Sequence, residues 1–146
     1  MPENSNAVNV KIHALLKVRQ DGAKEQFLTI ENGQLFRKDA NIYIRYQEKI
    51  QIDDLLHPTS VTVKITENNQ AEIVRSGASR MKLRFILKEE VPSSLQSGQG
   101  AMSLTTKTYA CIHEVLGENY GKLRLDYELY SLGQKLGEYE FHLTYS

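Results

Sequence analysis

The sequence predicts an all-β fold, a closed antiparallel up-and-down β-barrel of about 8–10 strands. Apolar residues recur at every second position in about ten segments, and turn residues separate these segments by roughly 8–14 residues. No segment shows the period of an amphipathic helix longer than a turn or two. Consecutive hairpins leave two end strands to protect, and a closed barrel protects both. An open two-sheet sandwich is the alternative, but segments of about 11 residues at ~3.3 Å each favour tilted barrel strands.

The first two segments show this alternation together with its turns. Even positions from 8 to 18 are apolar, and Gln20-Asp21-Gly22 follows as a turn in which glycine supplies a positive φ. A second strand is predicted over residues 24–31, and Asn32-Gly33 is a typical hairpin dipeptide that predicts another turn. The next segments of the meander contain Leu35-Phe36 and the alternating Ile42, Ile44 and Tyr46.

Between Glu48 and Ser60 the alternation lapses, which predicts a helical turn or a loop in place of a strand. Pro58 ends anything helical there, because its ring keeps the preceding residue out of helical geometry. Within this stretch Asp53-Asp54 either caps a short helix or binds a cation, and capping is the preferred interpretation.

Residues 74–85 form the stretch around which the rest of the chain is organised. Arg75 ends one strand in the same phase as Ile73, and Ser76-Gly77-Ala78 predicts a tight turn. The following strand has an apolar face made of Met81, Leu83, Phe85 and Leu87. Its opposite face carries an outward basic stripe made of Arg80, Lys82 and Arg84.

The C-terminal part of the chain resumes the alternation after one soft segment. Residues 92–100 are rich in Ser, Gly and Gln, which predicts a mobile loop. A long strand follows over residues 102–115, with Leu104, Thr106, Thr108, Ala110 and Ile112 expected to point inward. The closing hairpin has Leu123, Leu125, Tyr127 and Leu129 on one strand and Tyr139, Phe141, Leu143 and Tyr145 on the other.

Length and composition limit the classes of function. The 146 residues fit a single β-barrel domain, residues 1–146, in which residues 1–7 are expected to be a flexible tail. Eighteen basic residues balance eighteen acidic ones, so a nucleic-acid partner is not expected, although a neutral total can hide an asymmetric surface. With no secretory signal, no long apolar run and Cys111 as the single cysteine, the sequence predicts a cytoplasmic protein with no membrane partner.

Histidine and cysteine positions indicate neither a metal site nor a catalytic centre, and no cofactor motif is present. His13, His113 and His142 fall on the polar phase of their strands, which predicts surface positions. Cys111 is expected to face outward beside His113. Such a pair activates a thiolate in enzymes that also have a third, orienting group, and the sequence shows none. We therefore expect binding in preference to catalysis.

The inward face of the later strands is rich in aromatic residues, which are Tyr46, Phe85, Tyr127, Tyr139, Phe141 and Tyr145. A tyrosine buries a large ring but needs a partner for its hydroxyl. Two interpretations stay open. The aromatic residues either fill a packed core, which is the simpler interpretation, or line a cavity with apolar walls and a few polar anchors.

Arg75 has two interpretations as well. It either enters the interior and binds the carboxylate or phosphate of an amphipathic ligand, or lies at the barrel rim bonded to neighbouring carbonyls or a carboxylate. The candidate ligand-binding residues are Arg75, Ser76, Tyr46, Phe85, Tyr127 and Tyr139. The basic stripe is either a solvated face with acidic partners such as Glu72, or a surface that contacts RNA or an acidic protein.

Arg75-Ser76-Gly77 followed by Met81 and Phe85 resembles the YwiB-like family of small Gram-positive β-barrel proteins. The resemblance covers most of the chain, including the opening strand, Tyr43-Ile44-Arg45-Tyr46 and Leu125-Asp126-Tyr127-Glu128-Leu129. It implies a calycin-like barrel related in architecture to lipocalins and fatty-acid-binding proteins, and it implies no activity because the family is uncharacterised. The chain has no Trp, so it lacks the Gly-x-Trp signature of true lipocalins.

The sequence thus leads to two functional hypotheses. The first is a cytoplasmic barrel that binds a small amphipathic or apolar ligand in its interior. The second is a module that contacts a protein or RNA through the basic stripe or residues 92–100. A homodimer is a further possible partner, since Leu15 and Tyr130 are expected to be exposed.

Overall fold

The computed structural model describes residues 6–52 and 55–146, with the backbone alone at residues 49–52 and 55–57. The ten strands are β1 (Val8–Gln20), β2 (Ala23–Lys38), β3 (Asn41–Ile52), β4 (Leu55–Ile65), β5 (Gln70–Ser76), β6 (Arg80–Ile86), β7 (Glu90–Ser97), β8 (Gly100–Gly117), β9 (Tyr120–Ser131) and β10 (Gln134–Tyr145). Consecutive strands pair antiparallel, and β1 pairs with β10, so the sheet closes. The predicted antiparallel barrel is confirmed, and the open sandwich is excluded. Within these ranges no helix has the length and apolar character needed to cross a membrane.

Alternate side chains of the strands point into the barrel and form one apolar core. In β1 these are Val10, Ile12 and Ala14, all buried, which confirms the phase predicted for that strand. The predicted inward aromatic residues are buried too, with Tyr139 only partly so. Burying one large apolar side chain contributes about 1.5–3 kcal/mol, so this interior is the main source of stability.

The turn predicted at Asn32-Gly33 is wrong, because β2 runs through it without interruption. The chain turns instead at Asp39-Ala40, where both residues have positive φ, 52° and 66°. Gly33 is required for a different reason. A Cβ at this position would lie 2.6 Å from the carbonyl oxygen of Arg45 and 2.9 Å from Cγ1 of Ile12. Glycine is therefore needed at this position because it lets the neighbouring strands approach closely.

The barrel wall is open between β2 and β3 over much of their length. The two strands pair only through residues 34–38 of β2 and 41–45 of β3. Among the described residues, β2 pairs with β1 alone from Ala23 to Gly33, and β3 pairs with β4 alone from Tyr46 onward. The β1–β2 and β3–β4 hairpins are therefore two arms on either side of an opening.

The helical turn or loop predicted between Glu48 and Ser60 is wrong, because this stretch forms the arm made by β3 and β4. The two strands pair from Ile42 with Ile65 to Ile52 with Leu55. Pro58 is tolerated because β4 pairs with β5 only from Ser60 onward, so the missing N–H of Pro58 interrupts no pairing there. Asp53-Asp54 and residues 1–5 of the expected tail lie outside the described residues.

The mobile loop predicted over residues 92–100 is also mostly wrong, because β7 occupies Glu90–Ser97. Val91 and Ser93 are buried on its inner face, so the strand alternates in spite of its polar composition. Pro92 lies opposite Thr105 of β8, and β6 pairs with β7 only through residues 94–96. Pro92 is therefore tolerated for the same reason as Pro58, because β6 makes no pairing with β7 at this residue.

A β-bulge in β8 reverses the predicted phase of that strand. Thr108 lies opposite Tyr127, but Ala110 lies opposite Asp126, so Tyr109 has no partner in the register. Leu104, Thr106 and Thr108 are buried as predicted. Beyond the bulge Cys111 is buried and Ile112 is 50% exposed. The predicted inward positions of Ala110 and Ile112 are wrong, because the extra residue moves every later side chain to the other face.

Candidate functional site

A cavity of about 550 Å³ lies at the opening between the two arms. The apolar part of its wall comes from Leu16 of β1, Phe27 of β2 and Phe141 of β10, and its charged groups are Glu48 and Arg75. All three are on the inner face of their strands, since Phe27 and Phe141 lie opposite Leu16 in the strand register. Apolar walls with a few convergent polar groups are typical of a small-molecule site.

Arg75 and Glu48 form an ion pair inside this end of the barrel. Nη1 of Arg75 donates a hydrogen bond to Oε1 of Glu48. The two side chains are only 22% and 15% exposed, so the pair is partly shielded from water. Thr29 of β2 donates a 3.4 Å hydrogen bond to the other oxygen of Glu48, which links the two arms across the opening. Arg75 is thus on the inner face at the open end of the barrel and bonds to a carboxylate, which is the partner that the rim interpretation gave it.

Tyr46 lies beside this pair, with its hydroxyl buried and without a hydrogen-bond partner among the described residues. Its neighbour across β4 is Arg75, because both residues flank Val61 in the strand register. Burial raises the pKa of Tyr46, and the charge of Arg75 opposes part of that rise. Tyr46 is therefore a neutral phenol that can donate a hydrogen bond. An unsatisfied buried hydroxyl costs about 1–3 kcal/mol.

Tyr127 packs against two other inward aromatic residues and lies within the electrostatic influence of Arg75. Its ring packs edge-on against Phe85, with centroids 4.7 Å apart, and stacks on Tyr139 at 5.1 Å. Burial raises the pKa of Tyr127, and the charge of Arg75 again opposes the rise. The Tyr139 hydroxyl accepts a 2.9 Å hydrogen bond from Gln20. These aromatic residues are thus largely packed core, with a hydrogen-bonded and partly exposed end at Tyr139.

The predicted site residues do not all come together. Arg75, Tyr46 and Tyr127 lie close enough for the charge of Arg75 to affect both phenols, and Phe85 and Tyr139 contact Tyr127. Ser76 is exposed at the end of β5, in the phase opposite to Arg75, so it does not join this group.

Sequence reasoning missed Glu48, because it begins the stretch in which the apolar alternation stops. The available signal was its phase, since Glu48 follows Ile44 and Tyr46 at steps of two and therefore shares their inward face. The contribution of Phe27 was also missed. Its position at the cavity follows from the opening in the sheet, which no local pattern reveals.

A second cavity, of about 500 Å³, is lined mainly by charged side chains, with Tyr127 and Tyr139 at its apolar part. Several of its charged groups pair with one another, as in Arg19–Glu138 at 3.6 Å and Arg124–Asp126 at 2.9 Å. Because much of its charge is neutralised within the protein, this cavity is the weaker candidate for a site.

Cys111 and His113 share one face, but it is the inner face, so the outward positions predicted for both are wrong. The cause is the β8 bulge. His113 forms a 2.8 Å hydrogen bond with the hydroxyl of Tyr145. Burial lowers the pKa of His113 and raises the pKa of the Cys111 thiol to about 11. The cysteine is therefore a protonated core residue at neutral pH, and a protonated thiol is a poor nucleophile.

Among the residues that the structure describes, no cluster of His, Cys, Asp or Glu has the geometry to hold a metal ion. The basic stripe lies outward as predicted, with Arg80 and Arg84 exposed. Lys82 lies 3.7 Å from Glu72 across the strands, which is the acidic partner that the sequence suggested.

The fold and sequence are similar to those of known β-barrel proteins. The sequence model of the family described as "Domain of unknown function (DUF1934)" matches residues 10–143. The "Uncharacterized beta-barrel protein YwiB" of Bacillus subtilis (strain 168) is 23% identical over 134 residues, which cover 92% of this chain and 87% of that protein. The crystal structure of the ywiB protein from Bacillus subtilis superposes with a TM-score of 0.81 at 22% identity, covering 97% of this chain and 93% of the other. The resemblance seen in the sequence is confirmed.

Proposed function

Since the chain belongs to the family described as domain of unknown function DUF1934, whose description gives no activity, we propose a function from the geometry of its own site. The protein binds a small amphipathic ligand in the cavity between the two arms. The apolar part of the ligand lies along Leu16, Phe27 and Phe141, and its polar group lies beside Arg75 and Glu48.

The observation that carries this proposal is the composition of the cavity wall, apolar on most sides with one shielded ion pair. An interior ion pair costs desolvation energy, and a packed core gains nothing from placing it at an open wall. Tyr46 lies beside the pair but does not line the cavity, so its buried hydroxyl is not expected to contact the ligand directly.

The ion pair also restricts the polar group of the ligand. Arginine has five N–H donors, and the contact with Glu48 is made through Nη1. A carboxylate, sulfonate or phosphate can share the remaining donors, although the nearby charge of Glu48 weakens its binding. A hydroxyl or amide avoids that repulsion, because it can donate to Glu48 while accepting from Arg75.

We propose binding in preference to catalysis, and the cytoplasm as the location. The buried, protonated thiol of Cys111 supports both, because it offers no nucleophile and suits a reducing compartment.

The first experiment is native mass spectrometry on protein purified gently from its own host, compared with the denatured mass. We expect a discrete extra mass that is lost on denaturation. A titration with anilinonaphthalene sulfonate then tests the site directly. We expect saturable binding that Arg75→Gln weakens roughly tenfold, the equivalent of about 1.4 kcal/mol, because a charged hydrogen bond is removed.

The matched control for this titration is Arg124→Gln, an exposed arginine outside the cavity at the opening. It should leave binding unchanged. Equal binding by the parent, Arg75→Gln and a cavity-filling Leu16→Phe variant would contradict the proposal, because the probe would then bind elsewhere.

A further inference from the structure

The outer side of β3–β6 is a basic surface built from two adjacent cross-strand rows. One row aligns Tyr43, Lys64, Glu72 and Arg84, and the next aligns Arg45, Thr62, Val74 and Lys82. Arg80 follows at the start of β6. We call Arg45, Lys64, Arg80, Lys82 and Arg84 the basic wall. The predicted stripe on β6 is therefore one edge of a larger surface.

The basic wall has little acidic compensation. Glu72 lies 3.7 Å from Lys82. Among the described side chains, no carboxylate lies within 4.0 Å of the other four cations of the wall. These like charges lie on neighbouring strands and few carboxylates offset them, so the surface has a positive potential. That potential attracts anions from solution.

The opposite side of the barrel is different, because several of its basic residues have acidic partners. Arg19 lies 3.6 Å from Glu138, Arg124 lies 2.9 Å from Asp126, and Lys135 of β10 lies 2.9 Å from Glu128. Equal numbers of basic and acidic residues thus give a neutral protein with an asymmetric surface. The expectation against a nucleic-acid partner was based on the net charge of the whole chain. A net charge does not show how the charged residues are distributed over the surface.

Two aromatic rings hold part of the basic wall in place. Phe36 and Tyr43 stack with centroids 4.9 Å apart and planes only 3° from parallel. The guanidinium of Arg45 lies 5.3 Å from the centre of the Phe36 ring, and Nζ of Lys64 lies 6.0 Å from that of Tyr43. These cation–π contacts limit the freedom of both side chains, so less entropy is lost when they contact an anion.

We propose that the basic wall binds the phosphodiester backbone of a nucleic acid. A protein partner requires exposed apolar anchors at the centre of its interface. Among the described side chains, which leave out residues 49–57 of β3 and β4, the large apolar ones that are markedly exposed all lie outside β3–β6. Phosphates need only positive charge and N–H donors, which arginine presents in a planar fork and which the wall supplies across neighbouring strands.

The test is fluorescence anisotropy with a labelled twelve-nucleotide oligouridine and, separately, a labelled duplex of the same length. If about four phosphates are neutralised, the logarithm of the affinity should fall with the logarithm of salt with a slope of roughly −3 for the single strand. The double variant Lys64→Gln/Arg84→Gln should weaken binding about tenfold near 50 mM salt and reduce the slope by roughly 1.4.

The control is Lys11→Gln/Lys122→Gln, which removes the same charge from exposed positions on β1 and β9. It should keep both the slope and most of the affinity. Glu72→Gln is expected to strengthen binding severalfold, a gain that a misfolded variant cannot produce. Three results overturn the proposal: no binding at 25 mM salt, an equal loss in the control, or equally tight binding of an oligoglutamate peptide. The last would indicate an acidic protein partner.

Discussion

Arg75 on β5 extends past β4 to bond Glu48 on β3, so one ion pair links three neighbouring strands at the open end of the barrel. The pair thereby joins the strands on either side of β4, and Glu48 belongs to the part of β3 that has no pairing with β2. Because both side chains are largely shielded from water, removing one partner leaves the other as a poorly solvated charge without its counter-charge.

Glu48→Gln should destabilise the protein, because it leaves the charge of Arg75 shielded and without its partner. We expect a loss of about 1–3 kcal/mol in the free energy of unfolding, between the values of exposed and fully buried pairs. Urea denaturation measures it. The double variant Glu48→Leu/Arg75→Met should recover most of the loss, since no unpaired charge remains. A single variant as stable as the parent would show that water already solvates the pair.

Gly121→Ala should destabilise the barrel, because a Cβ at this buried position would collide with the hydroxyl of Tyr145 and the carbonyl oxygen of Glu114. Overpacking of this kind costs about 1–3 kcal/mol, seen as a lower urea midpoint. Gly98→Ala is the matched control, since nothing lies within 4 Å of its added Cβ. Equal midpoints for the two variants would contradict this account.

His113 should titrate below the ordinary histidine pKa of 6.5, because burial disfavours its charged form. NMR titration of the imidazole measures this directly. Below about pH 6.5 the unfolded chain takes up a proton before the folded chain does, so protonation lowers the free energy of unfolding. The His113 contribution is therefore present above that pH and is lost as pH falls. A pKa at or above 6.5 would contradict the burial of this ring.

Cys111 should resist alkylation by iodoacetamide at pH 8 in the native protein and react quickly in urea, because its thiol is buried and protonated. Its folded pKa of about 11 lies above the unfolded value of about 9. Its contribution to stability is therefore complete below pH 9 and is lost as pH rises toward 11. Rapid native alkylation would place the thiol outside the barrel.

Strand phase was predictable wherever the pairing is regular. The alternation from Val10 to Ala14 identified the inner face of β1, and the same reasoning placed Phe85 and Tyr127 inside. This works because a strand directs successive side chains to opposite faces and one face of this sheet is buried.

Features that depend on neighbouring strands were not predictable. Asn32-Gly33 has the composition of a turn, but Gly33 is needed because Arg45 and Ile12 approach it from other strands. The bulge at Tyr109 leaves no mark in the local sequence, although it decides that Cys111 points inward. The partner of Arg75 was likewise hidden, because Glu48 is distant in sequence and becomes a neighbour only through the register of β3, β4 and β5.

The seam between β1 and β10 has a consequence for the order of folding. Every other neighbouring pair is a hairpin and can form from a short loop, whereas the seam joins segments from opposite ends of the described chain. The entropy of closing so long a loop is recovered only when the rest of the sheet has brought the two edges together. The seam should therefore form last, and until then both edge strands remain available to other chains, which makes this intermediate the species most prone to aggregate.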